Sequence, residues 1–221
     1  MDEDDNDDRR GSASEDGGHP EEGLGQAGTM LARRLAAATR AVSRIDERLR
    51  AEENALTEEL IEGRLEETLP DKLPDFVGSE HEVWSDGTSV VKATLPGVFG
   101  RRWGARRFGI PSEYLERVKI VRGVFSFDWR IVGIAAEAGK PRIVSRQPYF
   151  KGEPPTLDEI DSLLRSLGFE FRSHRFGDHW YRSRDKVLVF DAEPGNFVKT
   201  AEGLVPVDLI VQREEAESLV S

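Results

Sequence analysis

The feature that most constrains this chain lies near its C-terminal end. There Val187-Leu188-Val189-Phe190 runs into Asp191-Ala192-Glu193-Pro194-Gly195-Asn196, and Asp208 follows twelve residues further on. The Pro-Gly step demands a turn, because proline fixes φ and lacks an N–H while glycine admits backbone that other residues resist. The stretch between Asn196 and Asp208 reads as a short hairpin turning at Ala201-Glu202-Gly203. A hairpin reverses the chain. It therefore returns a carboxylate, a carboxamide and a second carboxylate to one edge, although they are distant in sequence.

Such a set suits phosphoryl transfer. That chemistry needs a carboxylate near an incoming hydroxyl, and hard oxygen ligands for a divalent cation that neutralises phosphate charge. Asp191 can serve as the first, and Asn196 with Asp208 as the second. Upstream, residues 78–92 (GSEHEVWSDGTSVVK) read as two β runs around an Asp86-Gly87 turn, ending in Lys92 on a β-branched strand. A lysine there is a point charge for phosphates. Ile110-Pro111-Ser112-Glu113-Tyr114-Leu115-Glu116-Arg117-Val118 reads as a helix, with Ser112 as N-cap and apolar positions 114, 115 and 118. Either Glu113 or Glu116 is positioned to reach back to Lys92.

In order and spacing, these pieces resemble the serine/threonine/tyrosine kinase-like domains found in polyvalent proteins of phages and mobile elements. The resemblance runs from Phe76 to Val211 and rests on the Gly78 segment, Val91-Lys92, Glu113-Tyr114-Leu115-Glu116-Arg117-Val118, Gln147-Pro148-Tyr149-Phe150-Lys151-Gly152, the Asp191 to Asn196 turn, and Asp208. It implies a minimal two-lobe α+β fold: an antiparallel N-lobe sheet with a helix, and a truncated C-lobe. It further implies ATP and Mg²⁺ as cofactors, with Gly78 in the nucleotide loop and Lys92 on the phosphates, paired with Glu113. Residues 147–152, including Gln147 and Tyr149, would form the adenine hinge, with Asp191 as catalytic base and Asn196 and Asp208 as metal ligands. The departures are as informative. Val189-Phe190 precedes Asp191 where kinases carry His-Arg, Leu209-Ile210 follows Asp208 where they carry Phe-Gly, and the nucleotide loop has only Gly78. With thirteen residues after Asp208, no activation segment or large helical lobe is expected, so nucleotide binding is favoured over turnover, and a catalytically inactive pseudokinase that binds a partner is the alternative.

The remaining organisation follows from composition. Residues 1–28 hold an acidic, Gly- and Ser-rich stretch that contributes much of the net charge of −11; it reads as a disordered, solvating tail, with a basic partner as the alternative. In residues 29–67, Leu31, Leu35, Ala38, Val42, Ile45, Leu49 and Leu56 recur at spacings of four and three, with Glu52 interrupting the seam. This predicts one long helix, which either docks a partner or second copy as a coiled coil or packs on its own domain. Two prolines mark residues 68–75 as a linker, leaving 76–221 as the kinase-like domain. Thr156 and Glu159 form a capping box that opens a helix ending at Gly168.

The absence of cysteine excludes a disulfide scaffold and thiol chemistry, and no apolar run approaches the roughly 18 residues of a membrane span. A soluble cytoplasmic protein is expected. His174, Asp178 and His179 suggest a metal site but read better as a solvated hairpin. The basic run over 101–107, with Trp103 inside it, suggests nucleic-acid contact, a reading set below the others because the chain as a whole is acidic.

Overall fold

A computed structural model describes residues 24–103, 108–173 and 177–214. Most of the predicted acidic tail, His174, Arg106 and Arg107 lie outside the described residues. The first half of the kinase-like region forms a five-stranded antiparallel sheet in the order β1-β2-β3-β5-β4, from β1 (Phe76–Val77), β2 (His81–Ser85), β3 (Ser89–Thr94), β4 (Arg130–Glu137) and β5 (Lys140–Pro148). Local chemistry sets its turns. Asp86 Oδ1 accepts from the N–H groups of Thr88 and Ser89 at 2.8 and 2.7 Å, with Gly87 at φ +81°. Ala138 and Gly139, at φ +49° and +76°, give the tight β4–β5 turn the positive angles that match strand twist.

The two faces of this sheet do different things. Ile143 and Ser145 face α3 (Pro111–Phe125), where Ile143 joins the main core with Tyr114, Leu115 and Val118, while Val144 packs with Trp84, Ala93 and Ala135 on the opposite face. That opposite face is covered by the segment expected to be a loose linker. Leu69 packs on it, Trp84 Nε1 donates to Lys72 O at 3.0 Å, and Asp75 Oδ2 accepts from Ser85 N at 2.6 Å. Pro70 and Pro74 keep this segment out of a helix, and the sheet supplies partners for its polar groups.

The single long helix expected over 29–67 is instead a helical hairpin, α1 (Gly25–Ala38) and α2 (Ile45–Ile61), and α1 begins within the residues read as tail. The break has local causes. Thr39 folds its hydroxyl back onto Leu35 O at 2.9 Å, Arg44 is extended, and Asp46 and Glu47 favour the N-terminus of a new helix. Bending the chain there lets Leu31, Leu35 and Leu56 enter the core with α3 residues, while Ile45, on the same predicted seam, stays exposed. The seam therefore packs on its own domain. The backbones come close at Gly28, where a Cβ would lie 3.0 Å from that of Ile131.

Glu52, which interrupted the seam, is fully buried and accepts from both the N–H and the hydroxyl of Ser112, each at 2.8 Å. Ser112 is thus not the N-cap. Ile110 caps α3, Pro111 begins it, and Ser112 lies in the first turn.

The C-terminal part holds α4 (Leu157–Ser166), whose Thr156–Glu159 capping box forms as expected. A four-stranded antiparallel sheet follows in the order β11-β8-β7-β6, from β6 (Glu170–Arg172), β7 (His179–Arg182), β8 (Val187–Phe190) and β11 (Ile210–Arg213). The predicted hairpin is present as β9 (Phe197–Thr200) and β10 (Gly203–Pro206). The fold is α+β, with four α-helices and antiparallel sheets among the described residues. No described helix is long and apolar enough to cross a membrane.

Candidate functional site

Register decides what meets at the centre of the molecule. Ile210 of β11 pairs with Phe190 of β8, so the residues after β8 and those before β11 leave the strand pair at the same end. Asp191 turns there with φ +59°, a short 3₁₀ turn spans Pro194–Asn196, and the β9–β10 hairpin returns the chain to Asp208. Asn196 ties the ends together. Its Nδ2 donates to Asp191 O at 2.8 Å, and its own carbonyl accepts from the N–H groups of Val207 and Asp208 at 2.8 and 3.5 Å. The three residues singled out in the sequence are therefore neighbours, for the reason given there.

Lys92 reaches this turn from the sheet. It pairs with Val83 and Ser145 on the face toward α3, is 5% exposed, donates Nζ to Val207 O, and stands 3.7 Å from Asp208 Oδ1. The Trp129 ring lies 5.5 Å from the ammonium. Burial pushes the Lys92 pKa down more than the Asp208 charge restores it. Burial alone would raise the Asp208 carboxyl, but Lys92 and Arg117, with His81 behind them, carry it below the usual carboxylate range.

The expected ion pair between Lys92 and Glu113 gives way to a different arrangement. Glu113 lies in the first turn of α3, where Oε2 accepts from Ile110 N at 2.9 Å and Oε1 pairs with Arg102. Glu116 pairs with Arg213 at 2.9 Å. The side chain that α3 sends to the site is Arg117, 3% exposed, with Nη1 2.6 Å from Glu80 Oε2 and Nη2 3.5 Å from Asp208 Oδ1. A helix whose apolar face carries residues 114, 118 and 121 also turns residue 117 inward, so the charge on that face was the readable signal.

Glu80, His81, Tyr114 and Ser145 complete the buried set. His81 Nε2 is 2.9 Å from Tyr114 Oη, which lies 3.4 Å from Ser145 Oγ. Burial, with Lys92 nearby, drives the His81 pKa down to about 4, so the ring is neutral at pH 7. Burial raises the Tyr114 phenol. Two cations, Lys92 and Arg117, thus face two carboxylates, Glu80 and Asp208. The group of possible metal ligands closest together among the described residues is Glu80, His81 and Asp208, and those cations already neutralise it.

The other expected residues are placed as follows. Gly78 opens the turn before Glu80, its N–H donating to His81 O at 2.8 Å. Gln147 is buried on β5 with Oε1 lacking a hydrogen-bond partner, and Tyr149 is 45% exposed, its N–H on Thr88 O. Gly152 passes so close to β9 that a Cβ would meet Lys199 O at 2.0 Å. In the basic run, Arg101 N donates to Glu80 Oε1 at 2.8 Å, while Trp103 stacks on Phe190 at 5.1 Å and exchanges hydrogen bonds with Gln212. These described residues strap the loop onto the second sheet. Asp178 accepts from Ser173 Oγ at 2.7 Å, as the hairpin reading of that segment expects.

A sheet lysine facing an aspartate that follows a β-hairpin, with an Asp-x₄-Asn turn ahead of the hairpin, defines a protein of the kinase-like class. The model of one family in that class, described as Serine/Threonine/Tyrosine Kinase found in polyvalent proteins, matches residues 53–215, and the chain belongs to that family. No curated protein matches it, and no solved structure does.

Proposed function

We propose that the chain binds ATP with Mg²⁺ at the Lys92–Asp208 pair and transfers the terminal phosphoryl group to a hydroxyl of a protein or small molecule. The observation that carries this reading is the 3.7 Å approach of Lys92 Nζ to Asp208 Oδ1, with Asp208 fastened to Asn196 and Asn196 to Asp191. The residues suit a hard cation: Asp208 Oδ1 is buried without a hydrogen-bond partner, and Asn196 has its amide N–H engaged, which leaves the amide oxygen as the free end. When bound, Mg²⁺ would neutralise charge on the phosphates.

Lys92 would hold the phosphates as a point charge, and the turn at Gly78 would lie over them. Asp191 is exposed at the end of β8, where its carboxylate can accept the proton of an incoming hydroxyl. Residues 147–152 would present backbone to adenine.

Thermal melting with and without ATP and Mg²⁺ tests the binding step. Ligand at a hundred times its dissociation constant adds about 2.7 kcal/mol, a rise that Lys92→Ala and Asp208→Ala should abolish. Absence of any rise in the cooperatively melting wild type would end the reading. A second reading, a pseudokinase that binds nucleotide or a partner without turnover, is favoured by Arg117 standing where kinases place a glutamate beside the sheet lysine. Magnesium-dependent phosphate transfer lost in Asp191→Ala would exclude it.

A further inference from the structure

We propose that Arg117 is a second phosphate ligand of the nucleotide site, held by Glu80 until nucleotide and divalent cation bind together. This rests on the reading of the Lys92–Asp208 pair as that site. Arg117 is 3% exposed and, like Lys92, approaches Asp208 Oδ1, and its Nε finds no hydrogen-bond partner among the described residues. A guanidinium offers five N–H donors in a planar fork that matches phosphate oxygens, and leaving one of them buried and unmade is costly. Asp208 Oδ1, 3.5 Å from Nη2, is likewise buried without a hydrogen bond. The two residues that carry these orphaned atoms are thus in contact through Nη2.

Charge balance says what the site accepts. Without ligand, Lys92 and Arg117 offset Glu80 and Asp208. A divalent cation alone on Asp208, whose Oδ1 is buried although its side chain is 46% exposed, would add two positive charges beside the buried Lys92 and Arg117, which low polarity disfavours. A polyphosphate alone would meet the Asp208 carboxylate. Arriving together, cation and polyphosphate compensate each other: the cation takes Asp208, and Arg117 exchanges the Glu80 carboxylate for a phosphate oxygen. Glu80 suits the exchange, since it sits in the turn after Gly78 and its other oxygen is held by Arg101 N–H at 2.8 Å. It keeps a partner when Arg117 leaves.

Calorimetric titration of the full chain with Mg²⁺ and either ATP or inorganic tripolyphosphate tests this, using the wild type, Arg117→Gln and Glu80→Gln. Arg117→Gln should weaken both ligands by roughly ten- to a hundredfold. Glu80→Gln, which removes the competing carboxylate and keeps the arginine, should tighten both by about tenfold while lowering the melting temperature of the free protein. A Glu80–Arg117 pair serving only as a staple of the fold would lower melting temperature in both variants without tightening either ligand, and that result overturns the proposal. Should Arg117→Gln fail to fold, Glu80→Gln decides alone: unchanged or weaker tripolyphosphate binding refutes it. Wild type that binds neither ligand refutes the nucleotide site itself, whereas wild type that binds ATP with both variants unchanged refutes only the role of Arg117.

Discussion

On the sheet side of Asp208 stand Lys92, Arg117, Glu80 and His81, all buried; on the turn side stand Asp191, exposed, and Asn196, partly so. The buried side has to balance its charges internally, since each ion has left water and a missing partner would strand another in low polarity. The exposed side has water for every lone pair and holds its shape with main-chain hydrogen bonds. One site therefore joins a half that stability depends on to a half that chemistry can use freely.

The sharpest test of that contrast is Arg117→Ala, which should destabilise by about 3–5 kcal/mol in urea melts, because Glu80 and Asp208 lose a buried partner. A loss under about 1 kcal/mol would mean that water already reaches the set. Next in size is pH. The folded pKa of His81, about 4, lies below the ordinary imidazole value of 6.5, so the unfolded chain binds the extra proton first. The stability this gives is complete above about pH 6.5 and is lost as pH falls toward 4, an effect on the order of 3 kcal/mol, to be read from melts across that window. His81→Gln should flatten the curve there; an unchanged slope would assign it to other groups, of which Asp208 is one, its lowered pKa giving a loss at still lower pH.

Glu52→Ala removes the carboxylate that holds the first turn of α3 and should cost about 1 kcal/mol, with faster amide exchange at Ser112 as the local signature. Asp191→Ala should change stability by no more than about 0.5 kcal/mol while abolishing phosphate transfer. A large loss of stability there would erase the contrast between the two halves.

Much of the exposed half was legible in the sequence. The Pro-Gly turn, the hairpin and the Asp86-Gly87 and Thr156–Glu159 signals are local, settled by φ preferences and side-chain-to-backbone hydrogen bonds within a few residues. The buried half was partly legible: Lys92 was found by its strand context, but Glu113 was assigned to it on resemblance. In the fold Glu113 serves its own helix end, and Arg117 takes the inward position one turn later. Glu80 and His81 carry no such signal, because nothing in residues 78–82 reports the arrival of α3.

The helical seam shows the same boundary. Its leucine spacing announced helix within residues 29–67 with one apolar face to bury, since periodicity of apolar side chains is a property of the chain itself. The break after Ala38 is marked locally by Thr39, Asp46 and Glu47, but where that face went was decided when α3 and β4 offered a surface that a bent pair covers and a straight helix does not. Sequence by itself determined the turns and the hairpin that bring the backbones of Asp191, Asn196 and Asp208 together. Only the tertiary structure decided which charges share the interior, because the free energy of a buried ion depends on the partner brought to it from elsewhere in the chain.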